Sequence, residues 1–245
     1  MTTERRIVLV LAAVTMVIVG PSRAAAQETP WVGESVIAKK PPKDIQFSDW
    51  IDDKHVVFVF SGRMPLTVRR EREGWVRIHD GHREGWVKKA DFILARDAPV
   101  YFHSFVQANP MDAWALHMRG SGWLYKGEAD IAIKDFDECI RLDPKDTAAF
   151  NSRGNAWKTK KEYEKAISDY DEAIRWDPSY LLAFYNRGSA WMAKREYEKA
   201  IEDYGQAIRL APDYGDAFRA RGKAWIVSQE GLRQGNCGLY RSYSP

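Results

Sequence analysis

The clearest pattern in the chain is a grouping of apolar, small and basic positions that comes back at a fixed distance. Residues 150–178 place Phe150, Gly154, Trp157, Ala166, Ile167, Tyr170 and Ala173 in a set order, and residues 184–212 repeat that order almost without change. An Arg-Gly-x-x-Trp core recurs at Arg119, Arg153, Arg187 and Arg221, each step being 34 residues, and Trp123, Trp157, Trp191 and Trp225 keep the step. If the glycine of each core is counted as position 8, position 20 is Ala132, Ala166 or Ala200, and position 24 is Phe136, Tyr170 or Tyr204. Position 27 is Cys139, Ala173 or Ala207, and position 32 is Pro144, Pro178 or Pro212. Small residues at three fixed places let two helix backbones approach, and the aromatics fill the space between them. A period of this kind predicts a stack of helical units.

The first third of the chain alternates differently. Residues 7–19 are an almost unbroken apolar run after Arg5 and Arg6, ended by Gly20 and Pro21 and followed by Ala24-Ala25-Ala26. This is the layout of an export signal. A run of 13 residues is short of the roughly 20 that span a bilayer, so a mature chain starting near Gln27 with no stable membrane span is expected. An uncleaved anchor is the other reading. From Trp31 to Arg96, short apolar segments alternate with turn residues: residues 35–38, 56–60, 66–70, 75–78 and 86–88 read as strands, and Asp80-Gly81 reads as a hairpin turn.

The repeated unit, over residues 113 to about 225, resembles the tetratricopeptide repeat. That resemblance implies antiparallel helix pairs in a superhelix whose concave face binds peptide-like partners. The pair Gly74-Trp75-Val76 and Gly85-Trp86-Val87 resembles the bacterial Src-homology-three-like domain, whose members bind peptides or cell-wall polymers. The fold class expected is therefore mostly α: a solenoid of about three and a half helical hairpins, preceded by a small all-β barrel.

The repeat register places boundaries. Projected back by 34, Ala98, Phe102, Phe105 and Pro110 fall at positions 20, 24, 27 and 32. Residues 98–110 are thus the second helix of a unit whose first is missing, a cap for the stack. Three full repeats follow, and a fourth first-helix ends near Val227, giving residues 113–227 for the stack. Beyond it Gly231, Gly235 and Gly238 each cost about 1 kcal/mol in a helix relative to Ala. Residues 230–245 are expected to be a loose tail. The divisions expected are 1–26 signal, 31–96 barrel, 98–110 cap, 113–227 repeats and 230–245 tail.

Charge narrows the function. There are 37 basic and 34 acidic residues, a formal +3, and two of those three charges fall in residues 1–26. The remainder is close to neutral, which argues against nucleic acid as a partner. Two cysteines, Cys139 and Cys237, give neither a disulfide framework nor a metal spacing, and Cys139 reads as a small core residue. Five scattered histidines form no cluster. His79 and His82 flank the predicted turn, where a metal would need a third ligand. There is no phosphate loop and no nucleophile motif, so neither an enzyme nor a cofactor is expected.

Two constellations remain. Arg119, Arg153 and Arg187 at position 7 face Asp135, Asp169 and Asp203 at position 23, predicting an Arg–Asp pair within each full repeat. The pair is either a lock on helix pairing or an anion-binding ladder. The second constellation follows from the family resemblance, which implies a groove lined by first-helix residues. These are Trp114, His117, Ser121 and Tyr125, then Asn151, Asn155, Lys158 and Thr159, then Tyr185, Ser189 and Met192, and finally Asp216, Arg219 and Lys223. In similar proteins that hold chaperone tails, a basic and amide clamp grips a terminal carboxylate. Asn155 and Asn186 match two of its positions, but Asn151, Asp216 and Ala220 stand where its basic residues would be. The clamp is absent or altered. The function expected is an exported scaffold, in the periplasm or at the cell surface, that holds a protein or peptide partner in this groove. The alternative is a peptidoglycan-binding protein that uses its barrel, with the repeats as spacer. Self-association through the open repeat ends is a third.

Overall fold

The computed structural model describes residues 32, 34–39, 46–48, 56–59, 66–72, 74–79 and 84–241. The expected signal at 1–26 and the Asp80-Gly81 turn lie outside these residues, as do His82 and residues 242–245. The described part is a seven-stranded antiparallel sheet followed by eight helices, so the chain is mostly helical.

The sheet contains β1 (Ser35–Ala38), β2 (Gln46–Ser48), β3 (Val56–Val59), β4 (Leu66–Arg72), β5 (Trp75–His79), β6 (Glu84–Lys88) and β7 (Phe92–Leu94), in the order β3-β2-β6-β5-β4-β1-β7. β2 was not among the expected strands; like β7 it is three residues long, too short for an alternating pattern to stand out. Strict alternation in β5 and β6 puts Val76, Ile78 and Val87 into a core with Val36, Leu66, Val68 and Phe92. Gly74, at φ +82°, closes the β4–β5 hairpin in a conformation that favours glycine. The β5–β6 pairing runs from Trp75 opposite Lys88 to His79 opposite Glu84.

The helices are α1 (Ala98–Ala108), α2 (Ala113–Tyr125), α3 (Ala129–Leu142), α4 (Thr147–Thr159), α5 (Tyr163–Trp176), α6 (Leu181–Ala193), α7 (Tyr197–Leu210) and α8 (Gly215–Arg241). Asp112 and Asp146 cap α2 and α4 by accepting from backbone N–H groups of the first turn. Within each full repeat the sharp turn between helices needs a left-handed residue: Gly127 at φ +85°, Lys161 at +63° and Arg195 at +65°. The small residues do what the period implied. A Cβ added to Gly120 would lie 2.9 Å from the Phe136 ring, at Gly154 2.6 Å from Tyr170, and at Gly188 2.9 Å from Tyr204.

α1 packs as the register requires of a second helix. A Cβ on Gly122 would lie 2.8 Å from that of Ala98, and the equivalent residues one and two units on, Ala156 with Ala132 and Ala190 with Ala166, share the same cores. Ile37 of β1 joins Ala98, Phe102 and Ala115 in the core beneath α1 and α2, which ties the sheet to the stack. Phe105 is 43% exposed, in keeping with its terminal place.

The C-terminal stretch differs from expectation. α8 does not stop near Val227; it runs unbroken to Arg241, through the residues read as a loose tail. Three glycines weaken a helix, but there is no proline between Pro212 and Pro245 to break it. Each residue added to a formed helix gains a hydrogen bond.

Candidate functional site: the face of the first helices

The first helices α2, α4, α6 and α8 lie side by side along the stack, each touching the next but one in sequence. They are tied at their inner edge by a repeated contact between position 5 of one unit and position 6 of the next. Ser152 Oγ lies 3.2 Å from His117 Nε2, Asn186 Nδ2 donates to Asn151 Oδ1 at 2.9 Å, and Tyr185 packs near Ala220. His117 and Asn151 are each 1% exposed and Asn186 9%. These three expected ligand contacts are therefore interhelical ties on the floor of the face, and Ser121 is buried beside them. The reason is geometric: with 34 residues per unit, position 5 points at the neighbouring first helix as much as at the solvent.

The remaining expected residues form the upper surface. Tyr125 is exposed, and Trp114 is half-buried with its ring edge-on to Phe102 at 5.2 Å. Asn155 Oδ1 accepts from Tyr170 OH at 2.8 Å, which orients the amide. Tyr185 stacks at 5.6 Å from Tyr204 and 5.3 Å from Tyr214, and burial pushes its phenol up. Ser189 and Met192 are half-buried, Thr159 is exposed and donates to Asn155 O, and Lys223 is exposed. Arg219 is exposed and pairs with Asp216 one turn earlier on α8.

Lys158 differs from four other lysines of residues 147–210, and from the exposed Lys161 in being half-buried. Lys160, Lys165, Lys194 and Lys199 each reach a carboxylate: Asp130, Glu162, Glu164 and Glu196. Among the described residues Lys158 has no such partner. Its half-buried side chain is desolvated, which lowers its pKa.

The predicted Arg–Asp pairs are present in all three full repeats and are two-pronged. Arg119, Arg153 and Arg187 each donate through Nε at 2.9 Å and Nη2 at 2.6 Å to Asp135, Asp169 and Asp203. The carboxylates are 5–7% exposed on the side chain and the guanidiniums 18–22%. That burial and geometry fit a lock on helix pairing rather than an open anion site. Sequence reasoning missed a second partner. Arg153 also reaches Asp137 at 2.6 Å and Arg187 reaches Asp171 at 2.5 Å, each in the preceding repeat. The hydrogen-bonded carboxylates hold both guanidinium pKa values above their ordinary level. The signal was there to find: Asp137 and Asp171 are themselves 34 residues apart.

No group of three potential metal ligands occurs among the described residues, and no helix there is long and apolar enough to cross a membrane.

Comparison with known proteins agrees with the helical geometry. A crystal structure of MamA overlays with a TM-score of 0.51 at 25% identity, covering 62% of this chain and 86% of that one. A second MamA crystal structure gives 0.50 at 24% identity, over 60% and 79%. The first tetratricopeptide domain of Spaghetti (RPAP3), bound to an HSP90 peptide, is 26% identical over 48% of this chain and 93% of its own, with a TM-score of 0.46. No curated protein matches. Two family models, each described as tetratricopeptide repeat, match residues 117–180 and 182–214. The helical hairpins within residues 117–214 are thus similar to tetratricopeptide repeats.

Proposed function

We propose that the protein is an interaction scaffold that holds a peptide segment of a partner against the face of α2, α4, α6 and α8. The observation that carries this reading is Lys158: a half-buried ammonium on that face with no carboxylate beside it. Leaving it unpaired is unfavourable in the free protein, and an acidic side chain of a bound peptide relieves that. Tyr125 and Tyr185 on either side offer rigid rings, and Asn155 and Lys223 offer polar contacts to a peptide backbone. Trp114 and Arg219 extend the surface at its two ends. The mechanism is docking rather than chemistry. The test is a screen of a labelled peptide library against the intact chain. Peptides that bind should be rich in Asp or Glu and should bind about tenfold more weakly to Lys158→Ala. Binders with no acidic preference, equally held by Lys158→Ala, would refute the reading.

A second surface supports the cell-wall alternative. Trp75, Arg77, Trp86 and Lys88 lie on the side of β5 and β6 that faces away from the sheet core, and Lys88 sits 5.7 Å from the Trp75 ring. Two tryptophans with basic neighbours suit a flat polymer such as a glycan, in line with the Src-homology-three-like resemblance. Export to the periplasm or cell surface is part of the same proposal and rests on residues 1–26.

A further inference from the structure

The geometry points to a second docking site, on the open side of α8, for an amphipathic helix of a partner protein that carries an aspartate directly followed by an aromatic residue. This side is distinct from the groove face, where Arg219 and Lys223 stand. Phe218, Gly222 and Trp225 fall at successive turns of α8, at the repeat positions of Phe150, Gly154 and Trp157 and of Phe184, Gly188 and Trp191. In the interior repeats the second helix of the unit covers this stripe. Phe150 packs with Ala173, Trp157 with Ala166 and Tyr170, and Trp191 with Ala200 and Tyr204. On α8 nothing among the described residues does so. Phe218 is 43% exposed, Trp225 58% and Ile226 53%, and a Cβ at Gly222 would meet no atom within 4 Å. Gly222 is thus an unfilled socket of the kind that receives the Tyr170 or Tyr204 ring elsewhere.

Charge specifies the occupant further. Arg221 stands where Arg153 and Arg187 stand, and its guanidinium lies over Phe218 at 5.5 Å, as theirs lie over Phe150 and Phe184 at 5.5 and 5.7 Å. Those two arginines each bind two aspartates. Among the described residues Arg221 binds none. The residue 34 after Asp203 is Cys237, and the residue 34 after Asp171 is Gly205. Among the described residues nothing turns back over the stripe, because α8 runs on as one helix to Arg241. What fits is therefore shown three times in the same molecule: a helix reading Ala-x-x-Asp-aromatic, as in Ala132 to Phe136, Ala166 to Tyr170 and Ala200 to Tyr204. A second folded copy has no such helix to offer. Its Asp135, Asp169 and Asp203 are 3–5% exposed and their aromatic neighbours at most 3%.

The probe is a synthetic peptide of residues 162–178, which carries Ala166, Asp169 and Tyr170, titrated into the intact chain by calorimetry. One saturable site is expected. Affinity should fall about tenfold or more when the peptide carries Asp169→Asn or the protein carries Arg221→Gln, the loss of one charge-assisted pair. Gly222→Val should abolish binding by filling the socket, while the helical circular dichroism of the protein stays unchanged. Absence of saturable binding overturns the proposal, and so does binding indifferent to Arg221→Gln and Gly222→Val. A chain that sediments as a dimer, splits on Gly222→Val and ignores the peptide also overturns it, because the occupant is then a second copy.

Discussion

Arg153 and Arg221 hold the same place in their repeats and lie over equivalent phenylalanines, yet one is locked by two carboxylates and the other, among the described residues, by none. The interior of the stack and its last helix are thus built from one sequence pattern with different surroundings. The contrast separates what the unit does alone from what its neighbour supplies. A first helix packed on the preceding unit already places its arginine over a phenylalanine; the second helix of its own unit, with Asp and an aromatic ring, turns that placement into a lock.

The largest test of this contrast is charge. Arg153→Met leaves Asp169 unpaired and about 93% shielded. It should cost about 2–3 kcal/mol, between the limits for exposed and buried pairs. Arg221→Met should stay within about 0.5 kcal/mol of wild type. Urea unfolding of both variants checks the pair, and equal losses would erase the distinction. Glycine gives a smaller effect with a change of sign. Gly154→Ala drives a methyl into the Tyr170 ring and should cost about 1–3 kcal/mol. Gly222→Ala meets open space and should gain about 0.5–1 kcal/mol from helix propensity. Thermal melts of the two variants read the sign directly.

The smallest effect concerns the two groove lysines, Lys158 in the interior and Lys223 on the last helix. Burial lowers the pKa of Lys158 in the folded state, so between that value and the unfolded one, near 10.4, the unfolded chain binds more protons. Stability contributed by this group then rises with pH through that window, and the penalty is fully present below it. Lys158→Met should stabilise the chain by about 0.5–1 kcal/mol at neutral pH, with the advantage shrinking as pH approaches 10. Lys223→Met should do neither. The difference between variant and wild type, followed by chemical denaturation across pH, removes the contributions that the two proteins share.

Much of the helical half was legible because spacing of 34 residues fixes which side chains meet. Gly154 against Tyr170 and Arg153 against Asp169 follow from offsets within one unit. Contacts between units were harder to read. Asn151 and Asn186 looked like ligand groups because polar residues on a groove position suggest solvent, but the neighbouring first helix arrives there first. The pairing of Arg153 with Asp137 lies between units, so it is visible only when the end of one repeat is set against the start of the next. The end of α8 was misjudged because three glycines were weighed as a stop, when each is a modest penalty against continued hydrogen bonding. In the sheet, β5 and β6 announced themselves by alternation, whereas β2 and β7 are shorter than the pattern needs.

The bridges from Arg153 to Asp137 and from Arg187 to Asp171 have a direction. The second repeat carries both halves: Arg153, the cation that fastens it to its predecessor, and Asp171, the anion that its successor uses. A gene segment encoding that second repeat can therefore be duplicated inside the array without stranding a charge on either side. The array can lengthen in whole units, and its reach toward a partner with it, while every older junction stays as it was.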